Sequence, residues 1–522
     1  MNATAADTAE RSLFAASPAR LVAALCLTQI VFWSLIPALT YTALPLDVVE
    51  IYAWGPHWLT GSYKHPALTS WLLEISRTLT GTAGWPAYLV SQVWIALTFV
   101  LIFALGRGPL GSERAATATL LMPWIYYFGW HTPEFNHDII QLPLWVAIAL
   151  AAWSAVETQR IAWWVCLGAV AALALYGKLA SNFMLIATAT WLLADGHARR
   201  SLRTPGPWLA LCVFLILSIP LCKWLLSPNA IPLQFAVQRG SLNSKTVPIW
   251  IAIQVAIASG VLIPIAITRL RSRTDTFLSR PVIDARFKIF LLFVGLGPLL
   301  LAVAAFTTLA TGAKLMWGVP MLSFTGLLAV AFLPERWTAV PVRRLAVLTC
   351  VFTAVLSLIH GATMLREPED VEHMKRSQWP QAEISQRMRA IFANETGHPL
   401  TIVAGPIDNW LAGLISVSKA DILDIYTAAD SGLSPWVTRE RLATEGALVV
   451  WSYPECGVPE ALAGLLAGMT PRQERFKLSG SGDAAPLRIG FAVYSGTKDG
   501  EDNRPPNLSQ LMLLPTHDRD GA

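Results

Sequence analysis

Long apolar runs separated by short basic loops fill the first 363 residues, and a mixed pattern of short β-like and helical stretches follows. Runs long enough to cross about 30 Å of hydrocarbon lie at roughly 21–44, 85–106, 115–130, 139–156, 161–176, 179–194, 207–226, 248–268, 289–306, 316–334 and 345–363. Gly177 and Lys178 split the stretch 161–194 into two short spans or interrupt one long one. The pattern predicts a polytopic α-helical membrane protein with about eleven transmembrane helices. After the linker Arg366-Glu367-Pro368-Glu369-Asp370, candidate strands fall at Leu400–Ala404, Ile422–Tyr426, Ala447–Trp451, Arg475–Leu478 and Leu487–Tyr494. Candidate helices at 381–393, 408–417, 437–445 and 458–467 lie around them, which predicts a small α/β layer with a mostly parallel sheet.

Composition supports the membrane class. Charged residues make up 14% of the 522-residue chain and apolar ones 54%, against about 25% charged in soluble domains. The 22 tryptophans fit the enrichment of indoles at membrane interfaces. Of six cysteines, Cys26, Cys166, Cys212, Cys222 and Cys350 lie in apolar runs and Cys456 stands alone in the polar part, so no intrachain disulfide framework is expected. The formal charge of +5 does not point to nucleic acid, because the basic residues sit in loops between apolar runs. No cleavable signal pattern is present, and the first run reads as a retained helix.

Charge placement gives an orientation. With the N-terminus inside, the inner segments hold Arg11, Arg20, Arg107, Arg114, Arg160, Arg199, Arg200, Arg203, Arg269, Arg271, Arg273, Arg280, Arg286, Lys288, Arg336, Arg343 and Arg344. The outer loops hold Lys64, Arg77, Lys178, Arg239, Lys245 and Lys314. This positive-inside bias places the loop 45–84 and the chain from 364 onward outside. The expected organisation is a cytoplasmic tail at 1–20, a transmembrane domain at 21–363, a periplasmic α/β domain at 364–500 and a disordered tail at 501–522. No internal repeat is evident.

The first outer loop carries the densest chemistry. Asp47 and Glu50 are three residues apart, so on a helix they share a face, with Trp54 one turn on. Two such acids suit a general base and a partner that tunes it. The same spacing after Pro45 also reads as a capping box, and spacing alone leaves both readings open. Further along come Tyr63-Lys64-His65-Pro66-Ala67-Leu68 and Trp71.

The stretch from Asp47 to Trp71 resembles the first-loop signature of the GT-C membrane glycosyltransferases of family 39. That family includes protein O-mannosyltransferases, aminoarabinose transferases acting on lipid A, and Rgt-type galacturonosyltransferases acting on lipopolysaccharide core. Its members place an acid after the first helix, then an aromatic-x-(His or Lys)-Pro-Pro-Leu turn and an amphipathic helix. Ala67 departs from the second Pro of that turn. The resemblance covers roughly residues 20–330, is strongest in the first 200, and implies a GT-C-like fold for the transmembrane domain.

Three further places match. In His131-Thr132-Pro133-Glu134-Phe135-Asn136-His137-Asp138, Asp138 fits an acid that the family places at a loop–helix junction, beside Glu134 and His137. Asp138 also reads as a cap near the positive end of the next helix. His131, His137 and Asp138 are metal-ligand types, so a divalent metal is compatible, although their spacing matches no compact metal motif and none is required. Lys178 resembles a lysine the family carries at this point, suited to a lipid phosphate, and also reads as a snorkelling lysine. Lys314 raises the same choice. Arg239 and Lys245 are additional candidate phosphate contacts, and Lys223 reads as snorkelling.

The resemblance implies an inverting transfer from a polyprenyl-phosphate sugar to an envelope acceptor at the outer face of the bacterial inner membrane. Asp47 is then the base, Glu50 its partner, and Tyr63, Lys64, His65, Glu134, His137, Asp138, Lys178, Arg239 and Lys314 bind substrate. Lipid A, lipopolysaccharide core or another glycan are the acceptors it allows. Alternatives are a flippase for a lipid-linked substrate, a protein O-glycosyltransferase, and a scaffold for an envelope complex. No nucleotide-binding Gly-rich motif is present, and two-half symmetry of the transporter kind is not evident.

Overall fold

The computed structural model describes residues 17–228, 230, 232, 246–270, 282–309, 312–368, 373–453, 459–476 and 486–496. Arg239, Lys245, Cys456 and the tail 501–522 lie outside the described residues, as do Arg271, Arg273, Arg280 and most of the tail 1–20. The chain divides into two units. The first gathers residues up to Thr40, Trp58–Leu79 and Trp85–Thr363, and the second Tyr41–His57, Thr80–Gly84 and the chain from Met364.

The first unit is helical, and it is that of a multi-pass membrane protein. Among the described residues, six helices are long and apolar enough to cross a bilayer: Pro18–Thr40, Trp85–Arg107, Pro205–Leu225, Thr246–Arg269, Ala285–Thr308 and Val342–Leu365. A seventh span forms if Leu315–Leu322 and Thr325–Phe332, bent by 54°, are counted together. The runs expected at 139–156, 161–176 and 179–194 form the shorter helices Gln141–Thr158, Ile161–Gly177 and Asn182–Ala194.

Three expected spans are not continuous helices. The run 115–130 is α-helical only over Ser112–Leu120 and then passes through the 3₁₀ turns Met122–Trp124 and Tyr126–Phe128. Pro123 lacks an N–H for the ladder, and Ile125 is extended between the two turns. In the run 316–334 the break falls at 3₁₀ turns around Pro320. The span Thr246–Arg269 is interrupted by the turn Ser259–Val261, where Pro264 cannot donate to the Gly260 carbonyl. A side chain at Gly260 would collide with the Trp124 carbonyl, so the broken segments meet through bare backbone.

In hydrocarbon, small residues and polar contacts hold helices together. Gly168 lies so close to the Ala210 backbone that no larger residue fits. Gln29 Nε2 donates to Gln92 Oε1 at 2.9 Å. Gln92 Nε2 and Ser91 Oγ both donate to the Thr132 carbonyl, at 3.0 and 2.6 Å. The first spans are thereby tied to the loop that begins at Gly129.

The second unit is a five-stranded sheet in the order β2-β1-β3-β5-β4, with β1 Ile402–Gly405, β2 Asp424–Thr427, β3 Ala447–Tyr453, β4 Arg472–Phe476 and β5 Leu487–Tyr494. All five expected strands are present. The sheet is mixed, which corrects the expectation of a mostly parallel one: β1 pairs parallel with β2 and β3, while β5 pairs antiparallel with β3 and β4. The stretch between β4 and β5 is too short to hold a crossover helix, so those strands must run antiparallel.

Period-two alternation gives the sheet two buried faces. Val403, Leu448, Val450, Ile489 and Phe491 pack with Ile384, Met388 and Phe392 of helix Gln381–Thr396 and with Leu411 and Ile415 of helix Trp410–Ser416. Ile402, Ala404, Val449, Trp451 and Ala492 pack with Val437, Leu462 and Leu466 on the other.

Part of the first loop belongs to this unit. Helix Leu46–Trp54 presents Val49 to Gly413 and Ala53 to the first core. Leu44 N–H donates to Gln381 Oε1 at 2.9 Å. At the far end His57 Nε2 lies 3.2 Å from Asp424 Oδ1, and its ring stacks on Trp436 at 4.0 Å. Asp424 is also held by Arg441 at 2.7 Å.

Replacing the fully buried Phe392 with Ala removes a ring from that core and should cost about 3–5 kcal/mol. Hydrogen exchange on the intact protein checks this: amides of the five strands lose protection while the spans keep theirs.

Candidate active site

Within the first unit the loop 131–140, the turn after Gly177 and the turn 60–67 converge on one buried polar cluster. Its centre is an ion pair, Lys178 Nζ to Asp138 Oδ1 at 2.6 Å, with side chains only 16% and 12% exposed. Lys178 is extended, at the break between helix Ile161–Gly177 and the 3₁₀ turn Leu179–Ser181. Breaking the helix there points the ammonium inward, so it does not snorkel.

Asp138 does not cap the next helix. Asn136 Oδ1 takes the Asp138 and Ile139 N–H groups at 2.9 and 3.0 Å, leaving the Asp138 carboxylate for Lys178. Gln141, fully buried, donates to the His137 carbonyl at 3.0 Å and to Asp138 Oδ1 at 3.4 Å. Its Oε1 accepts from Ser181 Oγ at 3.4 Å, and Ser181 in turn accepts from Trp145 Nε1 at 3.1 Å. Thus both bearers of the ion pair are braced by one relay.

His137 joins this centre to the first loop. Its Nε2 is 2.8 Å from Thr69 Oγ1, and its ring stacks on His65 at 4.0 Å. Burial holds the imidazole well below its usual value, the Lys178 and Lys64 ammonium groups push the same way, and the Pro66 carbonyl opposes them slightly. His137 is therefore neutral near pH 7.

The turn that bears Lys64 is tightly fixed. Ser62 N–H donates to the His65 carbonyl at 2.8 Å, and His65 N–H to Ser62 Oγ at 3.0 Å. Trp224 lies against Gly61, where any side chain would collide with the indole, and its Nε1 donates to the Ser62 carbonyl at 3.1 Å. Tyr63 and Lys64 are buried, and the Lys64 ammonium lies 5.8 Å from the Tyr63 ring centre.

Glu134 is half-buried in the same loop as Asp138. Lys314 is half-buried and precedes the turn Leu315–Gly318, where its carbonyl accepts from Trp250 Nε1 at 3.0 Å. Asp47 and Glu50 lie on helix Leu46–Trp54 of the second unit. That helix has Pro45 at its N-cap position without a side-chain cap bond, so Asp47 is inside the first turn and the capping-box register is not formed. Glu50 is 5% exposed. Among the described residues no group of three or more His, Cys, Asp or Glu is arranged to hold a metal ion, so His131, His137 and Asp138 do not converge as a ligand set.

Sequence reasoning missed Gln141, Ser181, Thr69 and Asn136. A glutamine opening an apolar run was the available signal, since amide burial in hydrocarbon is costly without partners.

Residues 64–224 match the family described as dolichyl-phosphate-mannose-protein mannosyltransferase. The chain is also similar to the crystal structure of ArnT from Cupriavidus metallidurans bound to undecaprenyl phosphate, at 14% identity and a TM-score of 0.58 over 91% of this chain and 97% of that one. The fold is that of the ArnT structure. No curated protein sequence matches. The matched segment runs from Lys64 to Trp224 and contains the whole cluster around His137, while Asp47 and Glu50 precede it.

Lys178→Ala leaves the Asp138 carboxylate buried without its cation and should lower stability by about 3–5 kcal/mol, read as a depressed thermal transition in detergent. The joint variant Lys178→Met with Asp138→Asn should recover much of it. His137 gives a separate pH effect. A group whose folded pKa is depressed contributes stability above its unfolded value and loses it as pH falls. Thermal stability should decline as the pH drops below about 6.5, the ordinary histidine value, and less steeply in His137→Gln.

Proposed function

We propose that the chain is an inverting glycosyltransferase that moves a sugar from a polyprenyl-phosphate donor to an envelope glycolipid or glycan at the outer face of the bacterial inner membrane. The observation that carries this reading is the buried Lys178–Asp138 pair beside Lys64 and neutral His137, inside the segment that matches a family named for a lipid-phosphate sugar donor. The undecaprenyl phosphate named for the ArnT structure supports the same donor class.

A phosphate that keeps its lipid tail in the bilayer must be met where the membrane gives way to polar side chains. Lys64 and Lys178 supply fixed cations, and the poorly solvated surroundings strengthen their pull on a departing phosphate. Asp138 and the Gln141 relay hold Lys178 in place, so little reorganisation is needed as charge develops. Because His137 is neutral, it donates or accepts a hydrogen bond without competing for the anion.

The base role falls to Asp47, on the resemblance of the first loop, with Glu50 as its partner. Asp47 takes the proton of the acceptor hydroxyl, the acceptor oxygen bonds to the anomeric carbon, and the bond from that carbon to the phosphate oxygen breaks. Polyprenyl phosphate leaves with the electron pair, and the configuration inverts. Tyr63, His65, Glu134 and Lys314 are assigned to substrate contact, as is Arg239. The step invokes no metal. A second reading, transfer to a protein side chain, is favoured by the description of the matched family.

The test is Asp47→Asn in the full-length protein, with envelope glycolipids and glycoproteins of producing and deleted cells compared by mass spectrometry. Sugar transfer should fall at least about 100-fold, as for loss of a general base, while binding of polyprenyl phosphate is unchanged. Full transfer by the variant removes Asp47 as the base. A glycoprotein rather than a glycolipid product selects the second reading. Activity should also survive EDTA, and its loss would require a metal.

A further inference from the structure

The first unit has a second concentration of charge, unrelated to the cluster at Lys178. Helix Gln141–Thr158 ends in a left-handed Gln159, a conformation that turns the chain sharply and puts Arg160 at the surface. Gln159 Nε2 donates to Ser201 Oγ at 2.7 Å. That bond sets Arg160 beside the short segment Gly196–Arg203, which carries Arg199, Arg200 and Arg203. All four arginines are exposed.

Acids occur in the same region but are engaged elsewhere. Arg286, from a third helix, pairs with Glu157 at 2.9 Å and with Asp195 at 3.2 Å, and Asp195 also accepts the Ala198 N–H at 2.8 Å. Among the described residues, none of the side chains of Arg160, Arg199, Arg200 and Arg203 pairs with an acid. Among the described residues, four guanidinium groups therefore share one surface that the two acids beside them, both paired with Arg286, leave net positive, a repulsive arrangement unless anions complete it.

The surface also lies at a membrane boundary. The apolar span Pro205–Leu225 begins two residues after Arg203. Near its start Trp208 is 58% exposed and donates from Nε1 to the Leu202 carbonyl at 3.0 Å. An exposed, oriented indole at the head of a span marks the headgroup level. The guanidinium fork matches phosphate oxygens in pairs.

We propose that Arg160, Arg199, Arg200 and Arg203 form a docking surface for the phosphate headgroups of anionic phospholipids in the adjoining leaflet. The charge excess selects anionic over zwitterionic lipids, and the position ahead of the span selects a membrane-anchored phosphate over a free one. This surface is independent of the sugar-transfer reading.

The full-length protein is reconstituted in nanodiscs of phosphatidylcholine with and without phosphatidylglycerol, and lipid retained after release is counted by native mass spectrometry. The wild-type chain should retain phosphatidylglycerol preferentially, and retention should fall with added sodium chloride. Joint replacement Arg199→Gln, Arg200→Gln and Arg203→Gln should cut that retention about tenfold, whereas Lys at the same three positions preserves it. Equal retention of the two lipids by the wild-type chain overturns the proposal, as does salt-independent retention. Inorganic phosphate that displaces the lipid at constant ionic strength would show a free-phosphate site and also overturn it.

Discussion

Burying a carboxylate and an ammonium together in an apolar helical unit is costly unless each is fully satisfied, and the Lys178–Asp138 pair sets that requirement here. Its solution draws in Asn136, Gln141, Ser181 and Trp145, and through His137 it reaches Thr69 and His65. Three separate loops are thereby fixed to one point. A helix running unbroken through Gly177 and Lys178 would aim the lysine along the helix surface, so the interruption and the ion pair depend on each other. The same geometry that makes the pair tolerable holds the Lys178 ammonium rigidly in place.

Irregular backbone recurs around this unit. The breaks at Pro123, at Ser259–Val261 and at Pro320 expose carbonyls that continuous helices would satisfy internally. Side chains take over some of these: Tyr127 and Gln254 both donate to the Leu315 carbonyl, at 2.9 and 3.3 Å, and Trp250 to that of Lys314. Non-helical backbone at membrane depth is tolerated where protein covers it or a cavity needs it. Polar side chains are thus concentrated where the helices are interrupted, while the uninterrupted spans Pro205–Leu225 and Ala285–Thr308 face their surroundings with leucine and isoleucine.

The second unit follows soluble-domain rules. Its mixed sheet is buried on both faces, and it takes helix Leu46–Trp54 into its own packing through Val49, Ala53 and the His57–Asp424 contact. The acids of that helix therefore inherit their position from a sheet formed more than 350 residues later in the chain. In the first unit, charge is sorted differently: Arg286 absorbs Glu157 and Asp195, and four other arginines stay exposed.

The membrane class, the apolar runs, the five strands and the motif residues Lys64, His65, His137, Asp138 and Lys178 could be read from the sequence, because hydropathy and strand alternation are local properties and ionisable residues beside apolar runs are conspicuous. Whether Asp138 caps a helix or pairs with Lys178 could not be read, since the pair joins residues 40 positions apart and Asn136 decides which one caps. The broken spans were hidden because proline and glycine are tolerated in membrane helices, and only their neighbours determine whether the ladder is interrupted. Sheet direction depended on the chain between strands, and the allegiance of Asp47 and Glu50 on a distant core. Local chemistry named the participants; long-range packing decided which of them meet.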